Sequence, residues 1–417
     1  MRSLLQHAGE VMKHAFHRRI VQASFVAVVL AGCDEDAPPS VFDPNASGGQ
    51  TPTITSVQPE SLAVAGLTEV VITGSNFAEA DSDNVVYFGA TKATLTSATS
   101  TEIRVVPPAI VGEDLMIQIV VAGAYETAMY GPYDLEPLGV DYGGFGNLDE
   151  VQSLAIDANE NLYANMKSGV LSFVVLVPTA GQNSVYGTTT FPKASQMNIG
   201  SGGDLYLQQS SSRYMFTIPP GGGPPDSFAT LPNGPRSSFF DFDATGNIFS
   251  AGNKSGLYVI RPDATLDEVG NYDLFDVKSI RVYDGYVYLA AINTGPNPDV
   301  PGIWRNMIIA PGDSLAPAEL VFDWSNAGVH ATSSFFSITF SSDGDLYVGT
   351  DHVDPVLIIK PDNSIETLYP GLLQGPAGSL VWGTGTYLYQ NRTSDDDNVR
   401  RLIRISIGKT GAPYYGR

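Results

Sequence analysis

Six side chains able to hydrogen-bond a polar ligand recur through the later part of the 417-residue chain: Asn165, Gln208, Asn253, Asn293, Asp351 and Asn391. Each follows shortly after an aromatic residue in an apolar run. Amides donate and accept at once and carboxylates accept, so a ring of such groups suits an uncharged, hydroxyl-rich ligand such as a sugar. Trp304 ends the stretch "NTGPNPDVPGIW" (293–304) and offers an indole on which a pyranose could stack. It reads equally well as a core residue of a third strand. Asp395, Asp396, Asp397 and Asn398 present hard oxygens suited to calcium, without the spacing of an EF-hand loop. Asn and Asp are also ordinary turn formers, so each of these positions has a plain structural reading beside the chemical one.

One residue stands apart. Cys33 is the only cysteine, so it has no disulfide or thiolate-metal partner in the chain. It lies after Arg18-Arg19, the apolar run 20–31 and Gly32. That is the order of a secretory signal. A run of twelve residues falls short of the roughly 20 needed to span a bilayer. Leu30-Ala31-Gly32-Cys33 resembles the lipobox of bacterial lipoproteins, in which the cysteine is acylated and residues before it are removed. The resemblance implies a signal peptide over 1–32 and a lipid on Cys33. Asp34-Glu35-Asp36 resembles a surface-export signal in some lipoprotein systems and a retention signal in others.

Composition narrows the chemistry. The chain carries 22 basic and 44 acidic residues. Loss of residues 1–32 removes Arg2, Lys13, Arg18, Arg19 and Glu10, leaving 18 basic against 43 acidic residues, a net of −25. Such a surface repels nucleic acid and anionic headgroups, which excludes both as partners. Of the five histidines only His330 and His352 lie beyond the leader. This scarcity of bases and ligands weighs against most hydrolase and zinc mechanisms.

The elements that must position the six polar residues are strands. Long helical periodicity is absent, and short β-branched and aromatic runs alternate with Gly, Asp and Asn turns, which predicts an all-β chain in at least two units. Residues 33–51 are Pro-, Ser-, Gly- and Asp-rich and read as a flexible tether. Residues 52–136 hold "EVVITG", "NVVYFG", "EIRVVPP" and "LMIQIVVAG", which predict a small Ig-like sandwich. Their order, after Ile54-x-Ser56-Val57-x-Pro59, resembles IPT/TIG domains, which mostly act as spacers or contact modules.

Residues 137–417 repeat a strand, a tight turn and an apolar-aromatic pair. The six aromatic anchors are Tyr163, Tyr206, Phe249, Tyr288, Tyr347 and Tyr389, spaced 43, 43, 39, 59 and 42 apart. A period near 40 with this content predicts a β-propeller of six blades. Segment 133–140 is the candidate to complete the last blade. The motif x-Asp-Gly-x-Leu-Tyr-Val resembles NHL-repeat and gluconolactonase-type propellers, a likeness that identifies fold better than activity.

Two functions of different class follow. An anchor, a tether, a spacer and a propeller together resemble the surface glycan-binding lipoproteins of Sus-like uptake systems, whose partners include TonB-type receptors. A protein–protein scaffold shares that architecture. The alternative is a gluconolactonase-type enzyme, whose family holds a divalent ion by Glu, Asn and Asp. The nearest candidates are Glu150, Asn293 and Asp351, although Glu150 is followed by Val151-Gln152 where the family has Gly-Pro. In that reading the metal polarises an ester and activates water.

Overall fold

The computed structural model describes residues 48–146, 148–232, 236–309, 313–393 and 400–417. The leader, Cys33 and most of the tether lie outside the described residues, as do Asp395–Asn398. Within them the chain is all-β, with three single 3-10 turns and no α-helix.

The first unit is a sandwich. One sheet orders Thr53–Gln58, Val70–Ser75, Glu102–Val106 and Thr94–Ala98, all antiparallel. The other orders Leu62–Val64, Ala128–Glu136, Gly112–Val121, Asn84–Phe88 and Thr91–Lys92. Alternation along each strand sends Val57, Ile72, Phe88, Ile103, Ile117 and Tyr133 into a shared core where all are fully buried. Each such side chain contributes about 1.5–3 kcal/mol by leaving water. Tyr133 places its hydroxyl on the Pro59 carbonyl at 3.0 Å, so the ring is buried without an orphaned donor.

The second unit is a ring of six antiparallel sheets. Their innermost strands are Glu150–Ile156, Ala194–Ile199, Ser237–Phe242, Phe275–Tyr283, Phe335–Phe340 and Ser379–Trp382. Every aromatic anchor lies in the strand that follows, paired with the innermost one. In blades one, three and five the turn between these two strands is fixed by an acidic or hydroxyl side chain, Asp157, Asp243 and Ser341. Asp243, for example, accepts from the amides of Thr245 (2.8 Å) and Asn247 (2.9 Å), and Gly246 supplies the positive φ that the turn requires.

Gly139–Asp141 pairs with Arg400–Ser406 and so becomes the outermost strand of blade six. Chain from before blade one thus closes the ring, which removes the two open edges a linear array would leave. Only the end of segment 133–140 does this; residues 133–136 belong to the last long strand of the sandwich. Ser406 donates to Glu136 at 3.3 Å across the junction.

Residues 409–417 cross the axis on the face where the innermost strands end. Ala412 donates its amide to Phe340 of blade five (2.8 Å). Arg417 donates to Ile156 of blade one (2.9 Å) and Trp382 of blade six (2.7 Å). Gly416 lies so close to Ile199 of blade two that a Cβ there would stand 2.1 Å from its carbonyl oxygen. The segment therefore touches strands around the ring and stoppers one end of the channel.

Candidate functional site

Innermost strands of neighbouring blades belong to different sheets, so no backbone ladder joins them. Polar side chains do so instead. Ser153 donates to Ala194 O at 3.0 Å, and Ser195 donates to Ser238 O at 2.6 Å. Asn198 donates to Phe240 O at 3.2 Å, and Ser279 accepts from Ile338 N at 3.1 Å. Between blades three and four the link is ionic. Arg281 meets Asp241 at 2.5 Å with both side chains almost wholly buried, and the same carboxylate oxygen accepts from Val282 N at 2.8 Å.

Three of the six polar residues expected to line a binding rim belong to this stitching or to local turns. Asn165 is fully buried; its amide donates to Ser172 and its oxygen accepts from Ala194 N at 2.9 Å. Asn391 is buried and donates to Val151 O at 2.9 Å, fastening blade six to blade one. Buried Gln208 donates to the carbonyls of Gln209, Ser212 and Tyr214, bracing its own turn. All three stand two positions past their anchor, still inside the strand and on the anchor's face.

Asn253, Asn293 and Asp351 stand four or five positions past theirs, at or beyond the strand end. They are exposed or half-exposed on the face opposite residues 409–417. Asn293 accepts from Gly295 N at 3.0 Å and Asp351 from Ser334 N at 2.9 Å. Trp304 takes the second of its two readings, a packing residue of the third strand, and not the first, a stacking platform at a loop end. The strand Val300–Ile309 begins before it, so Trp304 ends no loop and stands mid-strand. It packs edge-on against Phe275 at 5.1 Å beside the core of blades three and four, with its ring nitrogen buried and unpartnered.

The lactonase set does not converge. Glu150 pairs with Lys167 of its own blade at 3.2 Å. Neither it nor Asn293 nor Asp351 lines the axial cavity. The carboxylate that does, Asp241, is already bound by Arg281. Among the described residues no group of three or more His, Cys, Asp or Glu is placed to hold a metal. The residues present do not fit a metal on the axis.

What lines the axis was not singled out from the sequence. The cavity there is about 40 Å³, walled by Gln152, Gln196, Ser279, Ser337 and Ser379, and floored by Tyr414. The Ser337 hydroxyl is buried without a partner. Tyr414 is held between two guanidiniums, Arg281 at 3.6 Å and Arg417 at 4.5 Å from its ring centre. The signal was a serine near the start of most innermost strands, readable only once the strand is known to be innermost.

The two histidines lie together in blade five, rings 4.5 Å apart. His330 is fully buried between the hydroxyls of Thr350 and Thr367. Burial, helped by neighbouring His352, pushes its pKa down to about 4, so it is neutral at pH 7. It lines neither the axial cavity nor the cleft between blades four and five.

A larger cleft opens between blades four and five on the stoppered face. Its volume is about 330 Å³ and its walls include Tyr283, Tyr288, Phe340, Arg305 and Lys360.

Residues 52–135 match the IPT/TIG domain family. No curated protein matches the chain in sequence. Among solved structures, a candidate phosphatase from Bacteroides thetaiotaomicron is 12% identical, with a TM-score of 0.52 over 88% of this chain and 98% of that one. A luciferin-regenerating enzyme is 15% identical, with a TM-score of 0.51 over 67% of this chain and 99% of its own. An auxiliary nutrient binding protein from Bacteroides ovatus is 15% identical, with a TM-score of 0.49 over 88% and 99%. Likeness at these identities speaks for the fold alone.

Proposed function

We propose that this chain is a membrane-anchored lipoprotein whose propeller binds an extracellular glycan without transforming it. In this reading residues 1–32 are a signal peptide and Cys33 carries the lipid. Residues 33–51 are a tether, 52–136 a spacer and 137–417 the recognition unit, with Asn253, Asn293 and Asp351 on its open rim. The observation that carries the reading is the state of the axis. A channel of about 40 Å³, floored by Tyr414 and walled in part by the buried Arg281–Asp241 pair, leaves no chamber for an ester and an attacking water. No helix among the described residues is long and apolar enough to cross a membrane. A TonB-type receptor is the partner that would carry a captured glycan inward.

A glycan array probed with the detergent-solubilised full chain tests this. Binding to a defined glycan is expected. Hydrolysis of a sugar lactone that needs added calcium or zinc, and is lost in Asp351→Ala, would overturn it in favour of the enzyme. Mass spectrometry of the membrane-extracted protein should show an acylated N-terminal Cys33; a mature form starting elsewhere would remove the anchor.

A further inference from the structure

We propose that the cleft between blades four and five is a binding site for a neutral sugar ring, on the face opposite the open rim. This rests on the reading of the propeller as a glycan binder. The 59-residue interval between Tyr288 and Tyr347, the longest of the five, brings Ile303, Arg305, Val321 and Phe322 to this cleft. Its volume of about 330 Å³ is within the range of small-molecule sites, roughly 300–1,000 Å³, whereas the axial cavity is far below it.

The lining selects the ligand class. Tyr283 stacks on Phe340 (centroids 4.5 Å, 16°), and Tyr288 meets the same ring edge-on at 4.8 Å, so one wall is aromatic. The cations are already satisfied. Arg305 is paired with Glu319 and lies over Tyr286, and Lys360 holds Asp345 at 3.0 Å and Glu366 at 3.3 Å. Asp343 is held by Lys409 at 2.6 Å. An anionic ligand would have to break these pairs and face the surplus carboxylates beside them. Three polar groups remain for hydroxyls: the Tyr283 phenol, the exposed Asp284 carboxylate and the exposed Asn363 amide. None has a hydrogen-bond partner of its own side chain among the described residues, and all three line the cleft. An aromatic wall with a phenol, a carboxylate and an amide at its rim is complementary to the apolar face and hydroxyl edge of a pyranose.

Calorimetry of the detergent-solubilised full chain tests the site, using maltohexaose, xylohexaose and mannohexaose as neutral probes. A glucosamine hexamer and a galacturonate hexamer serve as charged ones. Asp284→Gly removes the carboxylate at a position whose φ of 45° glycine accepts, so the fold is spared. It should weaken binding of a neutral probe roughly tenfold, the loss of one ligand hydrogen bond. Val321→Trp should fill the cleft and abolish binding there while leaving binding at the open rim, and Asp226→Ala on the outer strand of blade two should change nothing. An affinity and stoichiometry that both cleft variants keep unchanged overturn the site and leave the glycan reading standing. Failure of the wild type to bind any neutral probe overturns the glycan reading and the site with it. Preference for either charged hexamer overturns the neutral class.

Discussion

Asn84 is the one buried polar side chain of the sandwich among the described residues, and it spends its amide on the Ala78 and Ala80 carbonyls of an adjoining loop. The propeller buries serines, asparagines, glutamines, aspartates and arginines throughout. The difference follows from how each unit holds its parts together. Two sheets packed face to face need only complementary apolar surfaces. Six sheets arranged around an axis bring strand edges near one another without a ladder between them, and polar side chains bridge the seam. Polarity inside the propeller is therefore first a mark of assembly.

The sharpest way to break this comparison is at Arg281. Arg281→Met leaves Asp241 buried without its partner, and truncating one member of such a pair costs about 3–5 kcal/mol. Chemical denaturation should show the propeller transition shifted by that amount and the sandwich transition in place. Adding Asp241→Leu should restore much of the loss, since two apolar residues desolvate no charge. If both units lost stability equally, the seam would not be local to the propeller.

His330 gives the second test, of comparable size. Its pKa is about 4 in the folded chain against 6.5 in the unfolded one, so the unfolded state binds more protons between those values. Stability is full above pH 6.5 and falls as pH drops toward 4, by up to about 3 kcal/mol. His330→Gln should flatten that part of the melting temperature against pH profile. An unchanged slope would place the acid sensitivity elsewhere.

Asn391→Ala and Asn165→Ala should each cost about 1–3 kcal/mol by orphaning a buried seam partner. Neither should alter glycan affinity, whereas Asn253→Ala and Asp351→Ala should leave stability near wild type and weaken binding at the rim. Equal effects of the two sets on affinity would mean that seam and rim are not separate.

The pairing of these sets shows how far the sequence could be read. Anchor spacing carried the ring of blades because each repeat must present an aromatic at the same place in its second strand, and periodicity survives divergence of the turns. The strand patterns of residues 52–136 carried the sandwich for the same reason. Position within the repeat was harder. Asn165 and Asn253 are the same residue type after the same kind of anchor, yet two positions keep a residue in the ladder and four release it to the rim. That depends on where the strand ends, and strand ends are set by contacts with the next blade. The cleft between blades four and five had even less signal, since Tyr283-Asp284 and Asn363 come from turns of two different blades that only the folded ring makes neighbours.

The smallest expected effect separates the two functional classes. Glu150 and Lys167 form a partly exposed pair at 3.2 Å, with side chains 27% and 41% accessible. Such pairs contribute about 0–1 kcal/mol, because solvent screens them and both chains lose freedom on pairing. Glu150→Ala should therefore shift the propeller midpoint by less than about 1 kcal/mol and leave glycan binding intact, since Glu150 lies on neither the axial cavity nor the blade-four cleft. A metal-bound lactonase makes the opposite demand: losing a carboxylate ligand would abolish turnover while stability stayed level. Denaturation and lactone hydrolysis measured on this one variant thus distinguish an outlying surface pair from a metal ligand. A large loss of metal-dependent hydrolysis with an unmoved midpoint would return Glu150 to the centre of the molecule's chemistry.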